Sequence, residues 1–379
     1  MKWLKRELEE IKKQNLYRER INVESLKDFC SNDYLGLRKH PEVIEASIKA
    51  LKDYGLGSGA SQLVSGYTKY HKELEEKLAQ FKGVQKCLLF GSGFLANVGA
   101  IQVLVGEGDL ILSDELNHAS IIDGVRLSKA DKKVFKHLDY DSVEEFLKKN
   151  RKNYRKVLIV TDTVFSMDGD IADLRRLTRI CEEYDCILYI DEAHSTATIG
   201  RGGLDYFGLK HKDYIIVMGT LSKALGGYGA FICGTELLIE FLINKVRSLI
   251  FSTSLPPNVC AGVKKALEII ENNPKMIDDL RIIENKLIKI FKELQLEFKY
   301  FKTPIIPIMV YQEEKALRLR NALLREGVFL QAIRYPTVPK GKARLRLTAS
   351  LNYTDKDLEF LKVALKKSFE RESKLERPV

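Results

Sequence analysis

Short apolar runs alternate with amphipathic stretches from about Phe81 onward. The stretches between the runs have helical spacing; in 172–184, for example, Leu174, Leu177 and Ile180 fall on one face. Near-continuous apolar strands separated by helices are typical of a mostly parallel sheet that is covered on both faces. The pattern therefore predicts an α/β fold, with strands at 87–90, 110–112, 157–160, 187–190 and 215–218.

The pattern changes after Pro256 and Pro257. A long helical stretch, which we expect to break near Pro274, precedes a short β-rich unit and a final helix. The first residues, 3–17, also have helical spacing. We therefore predict an N-terminal helical arm (1–40), a large α/β domain (41–262) and a smaller C-terminal α+β domain (263–379). The smaller domain has predicted strands at 305–310, 328–333 and 343–348 and a helix at 355–369.

Composition and charge narrow the classes of function. The chain has 379 residues and a formal net charge of +10, but its Lys and Glu residues are largely interleaved along helices. We therefore expect no nucleic-acid partner, although a phosphate-rich coenzyme A thioester or an acidic carrier protein remains compatible with the charge. There is no apolar segment typical of a signal peptide or a membrane span. The six cysteines form no CxxC pair. We expect a soluble, cytoplasmic protein with reduced thiols and no membrane partner.

Titratable residues follow several predicted strands, at the edge where parallel sheets bind ligands. Asp191 and His194 follow one strand, and Lys223 lies in the Gly-rich segment after another. The Gly91-Ser92-Gly93 turn before a helix can offer backbone N–H groups to a phosphate. Each feature alone has an ordinary structural explanation. Together, a lysine, an aspartate, histidines and a glycine turn are the groups that pyridoxal phosphate chemistry requires.

The sequence lacks the motifs of three other classes of site that contain such residues. The sequence 191–194, Asp-Glu-Ala-His, is also the acidic box of helicase ATPases, but the GxxxxGK[ST] segment that would bind the phosphates is missing from the sequence. The histidines are scattered, without metal-ligand spacing, so no metal site is predicted. A serine hydrolase would need GxSxG at a strand-to-helix turn, which 91–93 does not provide.

Several motifs in order resemble the α-oxoamine synthases, which are pyridoxal 5′-phosphate enzymes of fold type I. The resemblance implies a large domain with a mostly parallel, seven-stranded sheet and a smaller C-terminal α+β domain. It covers nearly the whole chain. The motifs are Ser-Asn-Asp-Tyr-Leu-Gly-Leu at 31–37, Gly-Ser-Gly at 57–59, Ser-Gly at 65–66, Asn-His-Ala-Ser at 117–120, Val-Phe-Ser-Met-Asp-Gly-Asp at 164–170 and Thr-Leu-Ser-Lys at 220–223.

The resemblance implies a role for each matching residue. Lys223 would form the Schiff base and move the Cα proton, Asp191 would keep the pyridine nitrogen protonated, and His118 would stack on the ring. The other implied cofactor contacts are Gly93, Phe94, Ser166, His194, Thr220 and, toward the partner subunit of a homodimer, Thr253. The implied substrate contacts are Arg18, Thr337 and Arg346, with Arg346 binding the amino-acid carboxylate.

The implied reaction is a decarboxylative condensation of L-alanine with an acyl thioester of coenzyme A or a carrier protein. Residues 332–339 and 344–348 favour the member of the family that uses L-alanine and a pimeloyl group. The alternative is the sister enzyme that uses glycine and an acetyl group. A different class of function is also possible for the fold: a non-catalytic member of the family that binds the cofactor or a partner. Three residues depart from the family pattern. Thr163 and Ala197 stand where relatives often have glycine, and Gln62 stands where several relatives have a basic residue.

Overall fold

The computed structural model describes residues 1–375. The helices are α1 (Lys2–Lys13), α2 (Pro41–Tyr54), α3 (Lys69–Lys82), α4 (Gly93–Leu104), α5 (Ala119–Leu127), α6 (Tyr140–Asn150), α7 (Leu174–Tyr184), α8 (Gly203–Tyr206), α9 (Glu236–Lys245), α10 (Arg247–Ile250), α11 (Pro257–Asn272), α12 (Met276–Glu293), α13 (Glu313–Arg325) and α14 (Asp355–Leu375). The strands are β1 (Lys27–Asp28), β2 (Lys86–Phe90), β3 (Leu110–Asp114), β4 (Asp131–Phe135), β5 (Val157–Asp162), β6 (Ile187–Asp191), β7 (Ile215–Thr220), β8 (Ala230–Gly234), β9 (Ile305–Tyr311), β10 (Val328–Phe329), β11 (Gln331–Ile333) and β12 (Ala343–Thr348).

The chain divides into two compact units. The larger unit comprises Leu35–Ser166 and Asp170–Asp278. The smaller unit comprises Met1–Tyr34, Met167–Gly169 and the chain from Asp279 onward. The N-terminal helix α1 thus shares a unit with the C-terminal elements, whereas the sequence pattern suggested a separate arm over 1–40.

A seven-stranded sheet in the order β2-β8-β7-β6-β5-β3-β4 forms the centre of the larger unit. Strands β4, β3, β5, β6 and β7 are parallel, and β8 runs antiparallel to both of its neighbours. Strands β5 and β7 are buried along their whole length, as expected for a sheet covered on both faces. The predicted α/β class and the mostly parallel seven-stranded sheet are confirmed.

The two edges of this sheet are protected differently. In β4, Asp131, Lys132, Lys133 and Val134 are all exposed to solvent. In β2, the backbone of Leu89 is bonded to side chains: its N–H donates to Glu75 Oε1 at 3.2 Å, and its carbonyl accepts from Gln62 Nε2 at 2.9 Å.

The smaller unit contains a three-stranded antiparallel sheet, β11-β12-β9, and a two-stranded parallel pair, β1-β10. The predicted break of the long helix near Pro274 is confirmed by the separation of α11 and α12. No helix within residues 1–375 is both long enough and apolar enough to cross a membrane.

Two cysteines differ from the expectation of reduced thiols. Cys87 on β2 and Cys233 on β8 face each other directly in the antiparallel register, with Cα atoms 4.2 Å apart, and form a disulfide. The expectation was wrong for this pair because it rested on local spacing, whereas the two residues are 146 positions apart in sequence. Cys30, Cys181, Cys186 and Cys260 are present as thiols.

Candidate active site

A cavity of about 180 Å³ lies at the carboxyl ends of the parallel strands in the larger unit. In the strand register, Asp162 at the end of β5 pairs with Asp191 at the end of β6, and Asp191 pairs with Met218 near the end of β7. The edge of the sheet therefore brings side chains from three strands together. The cavity is lined by Gly93, Phe94, Asn97, His118, Ser120, Asp162, Asp191, Ala193, His194, Met218, Thr220 and Lys223.

The Asp191 carboxylate is buried and held by two hydrogen bonds. Oδ1 accepts from the backbone N–H of Ala193 at 2.8 Å, and Oδ2 accepts from Asn97 Nδ2 at 2.8 Å. Two donors fix the orientation of the carboxylate and satisfy part of its hydrogen-bonding capacity. A buried carboxylate in this state is suited to accept a further proton donor or a cation from the cavity.

His118 caps the N-terminus of α5 and is tied to two neighbours. Its backbone N–H donates to Asp162 Oδ2 at 2.8 Å, and its Nδ1 lies 2.7 Å from Ser120 Oγ. Burial lowers the pKa of the His118 imidazole; the Asp191 carboxylate opposes this effect, and the Lys223 ammonium adds to it. The ring is therefore favoured in its neutral form near pH 7.

Lys223 lies on the loop that follows β7. Its Nζ is 2.9 Å from His194 Nε2. The loop folds back on itself, since Gly226 N–H donates to Lys223 O and Gly227 N–H donates to Leu221 O. Gly226 has φ +68°, and a Cβ there would come within 2.5 Å of the Arg38 backbone, so the turn requires glycine. The turn places the amine in the cavity beside an imidazole.

The N-terminus of α4 forms another wall of the cavity. Ser92 caps this helix by accepting from Leu95 N–H at 3.2 Å. A Cβ on Gly93 would lie 2.8 Å from Thr220 Cγ2, so glycine keeps the space between the helix and β7 open. An open helix N-terminus beside a threonine hydroxyl is suited to an anionic group.

A buried ion pair supports the loop after β6. Lys82 Nζ donates to Glu192 Oε2 at 2.5 Å, to Thr196 Oγ1 at 2.9 Å and to the carbonyl of Arg201 at 2.6 Å. The other oxygen of Glu192 accepts from Gly203 N–H at 2.7 Å. These bonds tie the end of α3 to the loop that contains His194.

The same loop contains Ala197, where relatives often have glycine. Ala197 adopts φ +59°, the left-handed region that favours glycine. Glycine reaches this backbone conformation more easily than alanine, which explains why relatives often have glycine at position 197. Thr163, the other departure, is fully buried, and its Oγ1 has no hydrogen-bond partner within residues 1–375.

His137 braces the segment after β5, which includes Ser166. Its Nδ1 lies 3.0 Å from Asp114 Oδ1 and its Nε2 2.5 Å from Asp170 Oδ2. Burial alone would lower the pKa of His137, but the hydrogen bonds to the two carboxylates raise it to about 10. The imidazole is therefore a cation that links the end of β3 to the end of this segment.

Five predicted site residues are not among the residues that line this cavity. Ser166 and Thr253 belong to the larger unit, and Thr253 pairs across an isolated antiparallel bridge with Ser61. The three predicted substrate contacts, Arg18, Thr337 and Arg346, belong to the smaller unit.

Within the smaller unit these contacts have defined partners. Arg18 Nη2 donates to Thr337 Oγ1 at 3.3 Å. The buried Arg346 guanidinium donates to Asn32 Oδ1 at 3.0 Å and to Cys30 O at 3.5 Å.

Three polar lining residues were not among the predicted site residues: Asn97, Ser120 and Asp162. Burial, then the charge of Asp191, raise the pKa of Asp162 well above its usual range. A polar residue in the largely apolar helix α4 was a signal that could have identified Asn97. Ser120 lies inside the 117–120 motif, and Asp162 ends an apolar strand just as Asp191 does.

The chain matches the family described as aminotransferase class I and II over residues 24–364. A relative from Aquifex aeolicus (strain VF5), named provisionally as an 8-amino-7-oxononanoate synthase, is 74% identical over 367 residues, which cover 97% of this chain and 98% of that protein. An 8-amino-7-oxononanoate synthase from Symbiobacterium thermophilum is 46% identical over 94% of this chain and 91% of its own length.

Two solved structures are similar over most of the chain. A serine palmitoyltransferase from S. paucimobilis with bound PLP and myriocin has a TM-score of 0.90 at 26% identity and covers 98% of this chain and 97% of its own. An 8-amino-7-oxononanoate synthase from Francisella tularensis has a TM-score of 0.77 at 30% identity and covers 92% of this chain and 99% of its own.

Proposed function

This chain belongs to the class I and II aminotransferase family, and from that premise we propose that it joins L-alanine to a pimeloyl thioester with loss of carbon dioxide. The product is 8-amino-7-oxononanoate, a precursor in biotin biosynthesis. The observation that carries the proposal is that Lys223, Asp191 and His118 line one cavity in a chain 74% identical to a relative with that enzyme name. The relatives' names favour this reaction over the glycine and acetyl alternative.

Pyridoxal 5′-phosphate is the cofactor of this proposal, and the cavity residues fit it. An amine, a buried carboxylate and a helix N-terminus kept open at Gly93 lie around one space. When bound, pyridoxal phosphate supplies an electron sink for the negative charge that develops at Cα of the amino acid.

Each holding residue has a distinct task. Lys223 would attach the cofactor covalently, Asp191 would pair with its protonated ring nitrogen, and His118 would stack on the ring. Thr220 and the backbone of Gly93 and Phe94 would bind the phosphate, since they border the open helix N-terminus. We also propose that His194 and Ser166 contact the hydroxyl group of the cofactor ring.

Proton transfer is assigned to Lys223. Its Nζ is the amine that lines the cavity, and it would take the Cα proton of the bound alanine. The 2.9 Å contact with His194 Nε2 gives this amine a hydrogen-bond partner that can orient it. Lys223 would later return a proton to the product carbon.

Substrate binding is assigned to residues of the smaller unit. We propose that Arg346 binds the alanine carboxylate, because a guanidinium can hold two carboxylate oxygens at once. Arg346 donates hydrogen bonds to Asn32 Oδ1 and Cys30 O, and these bonds orient the guanidinium. We also propose that Arg18 and Thr337 contact the acyl thioester substrate. The thiol carrier of that substrate is coenzyme A or a carrier protein.

A homodimer is also part of the proposal. Leu56 (81% exposed), Val64 (79%) and Phe251 (70%) are large apolar side chains that are exposed on the larger unit, and we propose that the partner subunit covers them. Phe251 lies near Thr253, which would contact the phosphate in the partner subunit. Light scattering at micromolar concentration should give the dimer mass, and a monomer mass would exclude this part of the proposal.

One assay tests the reaction directly. Purified protein is offered L-alanine, glycine or L-serine with pimeloyl or acetyl thioesters, and the products are identified by mass. We expect L-alanine with the pimeloyl thioester to be preferred, and preference for glycine with the acetyl thioester would replace the assignment. Lys223→Ala should lose both turnover and the yellow absorbance of the lysine-bound cofactor, whereas the exposed control Lys210→Ala should keep both.

A further inference from the structure

Asn97 stands at the centre of a buried hydrogen-bond network beneath the cavity. Its Nδ2 lies 2.8 Å from Asp191 Oδ2 and 2.9 Å from Ser120 Oγ, and its Oδ1 lies 2.9 Å from the Tyr189 hydroxyl. All four side chains are buried. Buried polar groups at this density constrain one another, because each proton must have an acceptor.

The chemistry of the partners fixes which way the Asn97 amide points. Asp191 Oδ2 accepts its hydrogen bond from Asn97 Nδ2, so the NH₂ side of the amide faces the carboxyl group. The second proton of that NH₂ group then points at Ser120 Oγ. The amide oxygen faces Tyr189, whose hydroxyl donates to it.

Ser120 links Asn97 to His118 by hydrogen bonds. Because Ser120 Oγ accepts from Asn97, its own proton is available to donate to His118 Nδ1 at 2.7 Å. The backbone N–H of Ser120 also donates to His118 Nδ1, at 3.3 Å. The backbone N–H of Ser120 needs an acceptor at Nδ1, so the ring proton is placed on Nε2, and the Ser120 hydroxyl can then donate to Nδ1 as well.

We propose that Asn97 is a positioning residue that orients the Asp191 carboxylate and, through Ser120, holds His118 as the neutral imidazole with its proton on Nε2. The functional meaning rests on the proposed function. A neutral imidazole can stack on a protonated pyridine ring without repulsion between like charges, while the oriented Asp191 carboxylate faces the cavity in which that ring would lie. The Asn97 amide thereby orients both Asp191 and His118, the two side chains that would contact the cofactor ring.

The tautomer of His118 can be measured directly. The chain has six histidines, so protein labelled with ¹⁵N-histidine gives few ring signals in a long-range ¹H–¹⁵N correlation spectrum. The signals of His118 are identified by their loss in His118→Asn. In the full-length protein at pH 7, with and without pyridoxal phosphate, we expect Nδ1 of His118 to be unprotonated and Nε2 protonated.

Variants test the relay itself. In Asn97→Ala, Ser120 Oγ loses the donor that orients its hydroxyl, so the preference for the proton on Nε2 of His118 should weaken, although the backbone N–H of Ser120 still donates to Nδ1. Ser120→Ala removes one hydroxyl and should weaken the tautomer preference as well, which keeps the test available if Asn97→Ala does not fold. The control is Ser128→Ala, just after the same helix. Its hydroxyl donates to Val105 O and accepts from Ala130 N–H, so its removal should leave the His118 spectrum unchanged.

The outcomes separate this inference from the proposed function. A proton on Nδ1 in the unmodified protein, or an unchanged tautomer in both Asn97→Ala and Ser120→Ala, would overturn the inference. Because the spectrum needs no substrate, its result stands whichever thioester the turnover assay selects. Loss of turnover in Asn97→Ala with an unchanged His118 spectrum would also count against the relay.

Discussion

Lys82→Met should be among the most destabilising single substitutions in the larger unit. The ammonium and the Glu192 carboxylate are almost completely buried, with side-chain exposures of 4% and 2%. Three acceptors surround Nζ, which matches the three protons of the charged form. Burial lowers the pKa of Lys82, and Glu192 opposes that shift.

The magnitude follows from what the substitution leaves behind. Methionine fills much of the lysine volume, so little packing is lost. Glu192, however, stays buried without its cation, and removing one partner of a buried pair costs about 3–5 kcal/mol. We expect that loss in the free energy of unfolding.

Urea denaturation followed by far-ultraviolet circular dichroism is the appropriate assay. The only tryptophan, Trp3, is 61% exposed on the N-terminal helix, so its fluorescence would not report on this part of the protein. The matched control is Lys72→Met on the same helix, whose Nζ lies 3.9 Å from Glu76 at the surface. An exposed pair of this kind contributes no more than about 0.5 kcal/mol.

A second variant separates the buried charge from other effects. Lys82→Met combined with Glu192→Gln removes the uncompensated charge but keeps an acceptor for Gly203 N–H. The double variant should recover about 1–2 kcal/mol relative to Lys82→Met alone. The reasoning is refuted if Lys82→Met is no less stable than Lys72→Met, or if the double variant recovers nothing.

Three further substitutions have expected outcomes. His137→Gln should lower stability by about 2 kcal/mol near pH 6, because the pKa of about 10 means that the charged ring is stabilised by its two aspartates. The difference in the free energy of unfolding between this variant and the unmodified protein should shrink as the pH rises from about 6.5 through 10, because the folded imidazole loses its proton over that range. A difference that stays constant with pH in urea titrations would contradict this. Thr163→Val should raise stability by about 1 kcal/mol in the same assay, because it removes a buried hydroxyl without a partner in the described structure, and any loss would show that the hydroxyl is bonded. Gly93→Ala should weaken pyridoxal phosphate binding at least tenfold in a spectroscopic titration, because the new methyl group would crowd Thr220, whereas Gly106→Ala, with open space around it, should bind normally.

The apolar runs predicted the buried strands well, because a strand covered on both faces needs few polar residues. They missed β4, whose exposed Asp131, Lys132 and Lys133 are typical of an edge strand rather than of a core strand. They also missed β8, since the preceding glycines suggested a loop although Ala230–Gly234 is fully buried.

The candidate site was predictable only where a motif marks it. Lys223, Asp191 and His118 belong to recognisable segments that end or follow strands. The contact of Asn97 with Asp191 spans 94 positions of sequence and depends on how α4 packs against the sheet, which no local pattern encodes. The same reason explains why the Cys87–Cys233 disulfide was not expected.

The two protected edges of the central sheet have a consequence for self-association. A free strand edge is a template on which another chain can add its own backbone, and this is a common route to aggregation. On β2, Glu75 and Gln62 already occupy both backbone groups of Leu89, and on β4 the neighbouring charges of Lys132 and Lys133 would repel an identical strand. Both features disfavour the addition of a further strand, which favours association of copies of this chain through side chains rather than through strand pairing.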